Sequence, residues 1–231
     1  MNLPSTIPLR ALATDYDGTI ATNGAVTEET LAALARLKNA GFKLILVSGR
    51  ELNDLQATFP ELPRFDLAVL ENGGLLFDPA TGVSEVLSAP PRPDFVAYLV
   101  ARGLPLSIGH SIVATWEPHE TVVLEAIKHF GLELQVVFNK GAVMILPSGI
   151  NKATGLRVAV ERLGIEVAQV AGIGDAENDH AFLEVCGLSV AVANALPAIK
   201  ERVHLVTQGD HGHGVEELIA RLLATPEGAA V

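Results

Sequence analysis

The sequence is poor in cysteine: Cys186 is the only one among 231 residues. A single cysteine forms no disulfide within the chain, so the fold does not depend on disulfide bridges. It also fits the reducing environment of the cytosol, and we expect a cytoplasmic protein. The length is sufficient for one large domain or two modest ones, each with its own hydrophobic core.

Positive charge is also scarce. The chain has 16 Lys and Arg residues against 27 Asp and Glu residues, which gives a net charge of −11. Nucleic acids and anionic membrane surfaces would repel such a protein, so we expect neither as a partner. Any phosphate group that the protein handles must therefore meet a local basic side chain or a metal ion.

Long hydrophobic runs are missing, although 49% of the residues are hydrophobic. The longest uncharged runs, 103–116 and 185–199, are interrupted by proline, asparagine, serine or histidine. Neither reaches the ~18 apolar residues that a membrane-spanning helix requires. The segment 1–10 has two prolines, a single basic residue and no apolar stretch, so we expect no signal peptide.

The sequence does contain short apolar runs that alternate with longer helical patterns. Apolar runs at 9–14, 42–48 and 66–70 alternate with helical patterns, of which the first starts at Thr27. The same alternation returns after residue 150. Repeated strand–helix–strand units of this kind predict an α/β fold, with a Rossmann-like parallel sheet and helices on both faces.

The middle of the chain departs from this alternation. A proline-rich joint at 88–93 is followed by two helical patterns and several apolar runs, up to a turn at 147–149. Strands and helices grouped in this way predict a small inserted α+β cap domain. We place this insert at 81–148, so that 1–80 and 149–231 form the parallel core.

Two acidic motifs follow predicted strands. The first is DYDGT at 15–19, and the second is GDAEND at 174–179. In open parallel sheets, ligands bind outside the carboxyl ends of the strands, where both motifs lie. As purely structural features, the first motif is an Asp/Gly turn and the second is an acidic helix N-cap.

If the two strands are neighbours, the carboxylates of Asp15, Asp17, Asp175 and Asp179 converge. Two carboxylates ~4 Å apart repel each other by about 4 kcal/mol at an effective dielectric constant of ~20, so such a cluster requires a cation. Oxygen ligands on short, rigid turns favour Mg²⁺, which also accepts phosphate oxygens. We therefore predict a Mg²⁺ site.

Two further motifs indicate phosphate binding. Ser48, Gly49 and Arg50 end the second apolar run, and Asn151 and Lys152 stand at the start of a helical pattern. A hydroxyl and a free backbone N–H can hold phosphate oxygens, and a lysine supplies compensating positive charge. Taken alone, each motif is an ordinary turn or a capped helix.

In this chain order and at these positions, the four motifs resemble those of the haloacid dehalogenase-like (HAD) hydrolase superfamily. The resemblance covers essentially the whole chain. The motif ENGG at 71–74 and the insert between Ser48 and Lys152 look like the Cof-like (IIB) subfamily. At about 68 residues, the insert is similar to the small caps of archaeal phosphoglycolate phosphatases and sucrose-phosphatase-like proteins.

The resemblance implies a Mg²⁺-dependent phosphatase that hydrolyses a small phosphorylated metabolite through an aspartyl-phosphate. It implies that Asp15 is the nucleophile, that Asp17 is the acid/base, and that Thr19 orients Asp17. The residues that it assigns to phosphate or substrate binding are Ser48, Gly49, Arg50, Lys152 and Asn178. Those that it assigns to the metal are Asp15, Asp17 through its carbonyl, Asp175, and Asp179 as a ligand or directly behind one.

The cap is expected to close over the core and to select the leaving group. Its candidates for this role are Arg92, His110, Trp116 and His119, although each is more simply a surface or cap-core residue. Phosphoglycolate, a sugar phosphate and a phosphorylated cofactor are all compatible substrates. We expect a monomer or a homodimer.

Two histidines, His211 and His213, lie in the sequence DHGHG. Their spacing suggests zinc, but no further His or Cys stands at ligand spacing. We therefore expect a solvated loop that borders the rim of the site.

Two other functions share these residue types. A phospho-accepting receiver module combines acidic residues, Ser/Thr and Lys on a parallel sheet, but it is a single domain without an inserted cap. A phosphotransferase or phosphomutase on a similar scaffold, such as a phosphomannomutase, has a larger cap that excludes water. Accumulation of a phospho-protein would favour the first, and dependence on a bisphosphate activator would favour the second.

Overall fold

A computed structural model describes residues 8–224. Residues 1–7, which belong to the segment where we expect no signal peptide, lie outside the described residues. The strands are β1 Ala11–Thr14, β2 Lys43–Val47, β3 Leu67–Leu70, β4 Leu75–Asp78, β5 Val83–Val86, β6 Ser107–Ile108, β7 Val113–Trp116, β8 Leu134–Asn139, β9 Ala142–Pro147, β10 Val170–Gly174, β11 Leu188–Ala191 and β12 Leu205–Val206. The α-helices are α1 Glu28–Asn39, α2 Leu52–Thr58, α3 Pro93–Val100, α4 Glu120–Phe130, α5 Lys152–Leu163, α6 His180–Val185, α7 Pro197–Lys200 and α8 His211–Ala224.

The large sheet has the strand order β12-β11-β10-β1-β2-β3-β4-β5. Its strands from β12 to β3 are parallel, and β4 and β5 are added antiparallel at one edge. Helices lie on both sides of the sheet, so the predicted α/β Rossmann-like fold is confirmed. Strand β1 lies between β2 and β10, where the strand order reverses, and this is the position at which open α/β sheets bind ligands.

Local sequence signals fix the helices that flank the site. Helix α1 begins after Thr27, whose side chain accepts a hydrogen bond from the Thr30 N–H. Helix α5 begins after Asn151, whose side-chain oxygen accepts hydrogen bonds from the backbone N–H groups of Ala153 and Thr154. Such caps satisfy N–H groups that a helix start leaves unpaired, and they set the first residue of each helix.

The insert forms a second, antiparallel sheet with the order β6-β7-β9-β8. Helices α3 and α4 pack beside it, and the unit has a hydrophobic core of its own that includes Phe95, Leu99, Val123 and Ile145. We call this unit the cap.

The predicted range of the insert, 81–148, includes β5, but this strand belongs to the large sheet. Val86 lies opposite Leu75 of β4, and Val83 lies opposite Asp78. After the turn that follows β4, the chain adds β5 to the edge of the large sheet and only then enters the cap. The cap elements therefore begin after Val86 rather than at residue 81.

The C-terminal region differs from the prediction in one respect. The closing helix α8 starts at His211, so His211 and His213 lie in its first turn and not in a solvated loop. The His211 backbone N–H donates to Asn194 Oδ1 at 2.8 Å, which ties this helix start to the loop after β11. Among residues 8–224, no helix has the length and apolar character needed to span a bilayer.

Candidate active site

The carboxyl ends of β1, β2 and β10 bring the predicted motifs to one edge of the sheet. Asp15 follows β1, Ser48 follows β2 and Asp175 follows β10. The Asp15 N–H continues the ladder by donating to the Ile173 carbonyl at 3.0 Å. These three side chains are buried, with at most 5% of each residue exposed. The sheet thus gathers residues that are up to 160 positions apart.

A buried lysine joins two of the acidic residues. Lys152 is 1% exposed, and its ammonium group donates to Asp15 Oδ1 at 2.5 Å and to Asp179 Oδ1 at 2.6 Å. Although burial alone would lower it, the pKa of Lys152 is raised well above its ordinary value by these carboxylates. Lys152 is therefore a fixed positive charge beside Asp15.

Asp179 uses both carboxylate oxygens within the protein. Besides the contact with Lys152, its Oδ2 accepts hydrogen bonds from the N–H groups of Asp175 and Ala176 at 2.8 and 2.9 Å. Such contacts favour a positioning role for Asp179, since they hold Lys152 on one side and the loop that carries Asp175 on the other. Asp179 was expected either to bind the metal or to hold a residue that does. These contacts support the second role, in which Asp179 positions the predicted metal ligand Asp175.

Three carboxylates form a group that fits a metal ion. Asp15, Asp175 and Asp179 each offer an oxygen within 4.8 Å of the other two. Burial, followed by the charge of Asp179, raises the pKa of Asp15 from 3.8 to about 8, despite the opposing effect of Lys152. The pKa of Asp175 is raised as well, mainly by burial. Buried carboxylates whose negative charges repel one another suit a hard divalent cation such as Mg²⁺.

Asp175 contacts a residue that the sequence did not suggest. Lys140, in the turn between β8 and β9 of the cap, donates to Asp175 Oδ2 at 2.6 Å and to the Asp17 carbonyl at 3.2 Å. Thr19 donates to Asp175 Oδ1 at 3.1 Å. Thr19 is expected from the sequence to orient Asp17, but its hydroxyl instead orients Asp175.

The position between Asp17 and Thr19 requires glycine. Gly18 has a φ of 91°, and a Cβ there would lie 2.4 Å from both Asp175 Oδ2 and Lys140 Nζ.

Asp17 is held by an arginine. Arg50 Nε donates to Asp17 Oδ2 at 2.7 Å, and Arg50 Nη2 donates to Asp17 Oδ1 at 2.8 Å. Arg50 Nη1 donates to Asp54 Oδ2 at 2.7 Å, and the guanidinium carbon lies 5.4 Å from the centre of the Tyr16 ring. A two-point contact of this kind fixes the plane of the carboxylate. From the sequence, Arg50 is expected to contact the substrate. In the structure its guanidinium group instead orients Asp17.

Ser48 and Gly49 lie where a phosphate site was expected. Ser48 is 1% exposed, and its Oγ accepts a hydrogen bond from the Arg50 N–H at 3.2 Å. Both residues line a cleft of about 350 Å³ together with Asp15 and Asp17. Asp15 and Asp17 thus line the same cleft as Ser48, Gly49 and Arg50.

Comparison with known proteins identifies the family of this arrangement. A family model of haloacid dehalogenase-like hydrolases matches residues 12–102 and 113–219. The chain belongs to this family. The resemblance stated from the four motifs is confirmed, and the prediction of a phosphatase in this family is confirmed as well.

The similarity to known proteins covers nearly the whole chain. This chain is 32% identical to a phosphoglycolate phosphatase of Methanothermobacter thermautotrophicus, with 93% of this chain and 99% of the other covered. It is 30% identical to phosphoglycolate phosphatase 2 of Saccharolobus solfataricus, with 92% of each covered. A solved haloacid dehalogenase-like hydrolase from Bacteroides thetaiotaomicron has the same fold, with a TM-score of 0.79 at 18% identity over 93% of this chain and 99% of the other.

The cap supplies the opposite wall of the cleft in this HAD hydrolase. Its contribution comes from strands β6, β7 and β9, from the residue before β7 and from the end of β8. The cap residues that line the cleft are Ser107, Ile112, Ala114, Thr115, Trp116, Asn139, Ala142 and Met144. Of the four cap residues suggested from the sequence, Trp116 lines this cleft. Arg92 pairs with Asp94, and His119 is the N-cap residue of α4.

Asn178 connects the core to the cap through a second asparagine. Its Nδ2 donates to Asn72 Oδ1 at 2.9 Å, and Asn72 Nδ2 donates to Met144 Sδ at 2.6 Å. The Asn178 Oδ1 atom is buried and has no hydrogen-bond partner among the described residues. Asn178, predicted as a substrate contact, thus lies beside the cleft with one acceptor atom unpaired.

Glu71 holds a cap segment against the core. It is fully buried, and its carboxylate accepts hydrogen bonds from the N–H groups of His110 and Ser111 at 3.0 and 2.7 Å. His110, suggested as a cleft residue, also places its ring Nδ1 3.1 Å from Glu71 Oε1. The ENGG motif therefore joins the two units of the HAD fold, a role that its composition alone does not reveal.

The histidines of α8 show no sign of a zinc site. His213 Nδ1 lies 3.4 Å from Glu216 Oε2, and His211 Nδ1 lies 3.6 Å from Asp210 Oδ2. Among residues 8–224, neither belongs to a group of three or more possible metal ligands. Within the described residues, the structure thus gives no support for a zinc site at the DHGHG sequence.

Proposed function

We propose that this HAD phosphatase releases inorganic phosphate from a small phosphorylated metabolite through an aspartyl-phosphate on Asp15, with Mg²⁺ as its cofactor. Phosphoglycolate is the first candidate substrate, because the relatives named above are phosphoglycolate phosphatases; a sugar phosphate is the second. The observation that carries the proposal is the pair Asp15 and Asp17 on one wall of the cleft, each oriented by its own cation.

The first half of the reaction forms the intermediate. An Asp15 carboxylate oxygen attacks phosphorus, the ester P–O bond breaks, and Asp17 transfers a proton to the departing alkoxide oxygen. Lys152 offsets negative charge on the transferring phosphoryl group, and the Ser48 hydroxyl and the Gly49 N–H orient its oxygens. Both Asp17 oxygens accept hydrogen bonds from Arg50 in the structure, so Asp17 must release one of these contacts to carry the proton that it transfers.

The second half returns the enzyme to its starting state. Asp17 now accepts a proton from a water molecule, the water oxygen attacks phosphorus, and the bond between phosphorus and the Asp15 oxygen breaks. Inorganic phosphate leaves and the Asp15 carboxylate is regenerated. The residues that would hold Mg²⁺ are Asp15, Asp175 and the carbonyl of Asp17, and the ion, when bound, offsets the charge of the phosphoryl oxygens.

The volume of the cleft and the net charge of the chain support a small, diffusible substrate. The cleft volume of about 350 Å³ suits a compact metabolite, and the net charge of −11 disfavours a phosphate polymer. Cys186 is a buried free thiol, which supports the proposed cytoplasmic location.

We expect the purified protein to release phosphate from phosphoglycolate and from p-nitrophenyl phosphate, to lose this activity in EDTA, and to regain it when Mg²⁺ is added. Chelation removes the charge that the acidic cluster and the phosphoryl group both require. Colorimetric phosphate release, scored as kcat/KM over a panel of phosphorylated metabolites, measures this and ranks the substrates. A requirement for a bisphosphate activator would indicate a phosphotransferase instead, and a stable phospho-protein without turnover would indicate a receiver module.

Asp17→Asn is expected to slow turnover by about 10²-fold or more, because general acid–base catalysis contributes on this scale. The carbonyl of residue 17 is retained, so metal binding is expected to persist. Rapid quenching with ³²P-labelled substrate is expected to show phosphate retained on the protein, because the variant lacks the base for the second half. The control is Asp54→Asn, which alters the other carboxylate bound to Arg50 and is expected to leave the rate nearly unchanged. A wild-type rate for Asp17→Asn would exclude Asp17 as the acid/base.

A further inference from the structure

Lys140 belongs to the cap, yet its ammonium group lies in the acidic cluster of the core. Its Nζ is 2.6 Å from Asp175 Oδ2 and 3.2 Å from the Asp17 carbonyl oxygen. Lys140 and Gly141 form the turn between β8 and β9, with φ values of 48° and 85°. Positive φ at both turn residues is the geometry of a tight two-residue hairpin, so the turn itself places Lys140 at the tip.

The two oxygens that Lys140 contacts are also ones that would hold a metal ion. An ammonium group and a Mg²⁺ ion that contact the same Asp175 carboxylate would repel each other at such short range. A cation held by Asp15, Asp175 and the Asp17 carbonyl would therefore weaken the contact between Lys140 and Asp175 and favour release of the Lys140 ammonium group. The Lys140 side chain is 47% exposed, which leaves it room to move, whereas Lys152 is 1% exposed and has none.

The turn that carries Lys140 lies next to the cleft. Asn139 and Ala142 flank the Lys140–Gly141 turn, and both line the cleft opposite Asp15 and Asp17. The Asn139 Oδ1 atom is buried and lacks a hydrogen-bond partner in the described part of the chain. The turn that carries Lys140 therefore adjoins the cap wall of the cleft, opposite Asp15 and Asp17.

The other cations of the site keep their carboxylate partners when a metal binds. Arg50 is held by Asp17 and Asp54, and Lys152 stays in contact with Asp179. Within residues 8–224, Lys140 is the site cation whose ion pair, with Asp175, the metal would replace. In a chain with a net charge of −11, an anionic leaving group requires such a positive group nearby.

We propose that Lys140 is a specificity-determining residue: once a cation occupies the cluster, its ammonium group binds a carboxylate carried by the phosphate ester. The inference rests on the proposed phosphatase function and names the substrate class, small phosphate esters with a second anionic group close to the phosphate. Charge-assisted binding of this kind favours such esters over neutral ones of the same size.

The test compares three substrates in matched variants. Phosphoglycolate and ethyl phosphate are of similar size and differ in the carboxylate, and p-nitrophenyl phosphate reports the chemistry alone. Lys140→Asn removes the charge and suits the left-handed backbone at this position, and Lys140→Arg keeps the charge. Lys128→Gln removes a charge from the exposed face of α4 in the same cap and serves as the control.

For Lys140→Asn we expect kcat/KM on phosphoglycolate to fall by about 10- to 100-fold, mainly through KM, since this is the scale of one hydrogen bond to a charged group. The other two substrates are expected to change little, and Lys140→Arg is expected to retain the preference for phosphoglycolate. Calorimetric titration with Mg²⁺ alone is expected to show binding about 2- to 5-fold tighter in Lys140→Asn, because no half-exposed ion pair has to be broken. Lys128→Gln is expected to match the wild type throughout.

An equal loss on all three substrates, an unchanged rate on phosphoglycolate, or weaker Mg²⁺ binding by Lys140→Asn would each overturn the assignment of Lys140. These results leave the proposed function intact as long as the wild type hydrolyses p-nitrophenyl phosphate with Mg²⁺. A wild-type protein inactive on all three substrates would refute the phosphatase function and, with it, this role of Lys140.

Discussion

Replacing Asp15 by Asn is expected to reduce phosphate release by on the order of 10⁴-fold or more, the scale on which loss of a nucleophile acts. An amide in place of the carboxylate does not form an acyl phosphate by in-line attack, and no phospho-protein is expected in rapid-quench experiments. Steady-state phosphate release on p-nitrophenyl phosphate, with mass spectrometry of the quenched protein, measures both effects.

The same substitution is expected to stabilise the metal-free protein at alkaline pH. Burial and the charge of Asp179 raise the pKa of Asp15 from 3.8 to about 8, so the folded state binds this proton more tightly than the unfolded chain does. Stability is therefore lost as pH rises from about 4 to about 8, and Asn, which does not ionise, avoids the loss. In EDTA at pH 8 we expect the Tm of Asp15→Asn to exceed that of the wild type by roughly 5 °C.

Higher stability together with lost activity separates a chemical role from damage to the fold. Asp78→Asn is a suitable control, since Asp78 Oδ1 accepts a hydrogen bond from the Ala80 N–H in the β4–β5 turn and an asparagine oxygen can do the same. Near wild-type turnover by Asp15→Asn would refute the aspartyl-phosphate mechanism. A lower Tm at pH 8 would show instead that the ionised carboxylate supports the folded state.

The core of this fold could be predicted from the sequence because its signals are local. Thr27 and Asn151 each precede a helical pattern and cap the helix that follows, as expected from their side chains. The motifs that contain Asp15 and Asp175 follow buried strands, and parallel pairing alone brings their ends together. Each of these predictions needed only the residues within one element and the rule that parallel strands end at one edge.

The contacts between the cap and the core could not be predicted in this way. Lys140 reaches Asp175, and Glu71 receives the N–H groups of His110 and Ser111, but a Lys-Gly pair indicates only a turn and a glutamate indicates only a surface charge. Which core residue a cap residue meets depends on how two separately packed units lie against each other. Residues on a single sheet edge are constrained far more tightly than residues on two units.

Two local errors have a similar cause. The predicted insert, 81–148, includes β5, whose four residues carry no buried-strand pattern, but antiparallel pairing with β4 holds this strand in the large sheet. The start of α8 at His211 was missed because glycines at 212 and 214 favour a loop. Both glycines are buried in the structure, so close packing rather than helix propensity decides that segment.

Replacing Lys152 by Met is expected to impair both stability and catalysis. The two side chains are of similar length, but the substitution leaves Asp179, and Asp15 whenever it is ionised, buried without their shared cation. Removal of one partner from a buried ion pair costs about 3–5 kcal/mol of unfolding free energy. Loss of a positive charge beside the transferring phosphoryl group is expected to lower kcat by about 10³-fold. Urea unfolding in EDTA and phosphate release measure the two effects, with Lys128→Met as the control.

A double variant separates these two roles of Lys152. Adding Asp179→Asn to Lys152→Met removes one of the unpaired charges, and the asparagine oxygen can still accept the N–H groups of Asp175 and Ala176. We expect the double variant to regain a large part of the lost unfolding free energy and none of the lost kcat. Recovery of activity would mean that Lys152 serves only to neutralise Asp179, which would contradict its proposed role in offsetting the charge of the phosphoryl group. Stability without activity would show that Lys152 has a role in the reaction beyond neutralising Asp179.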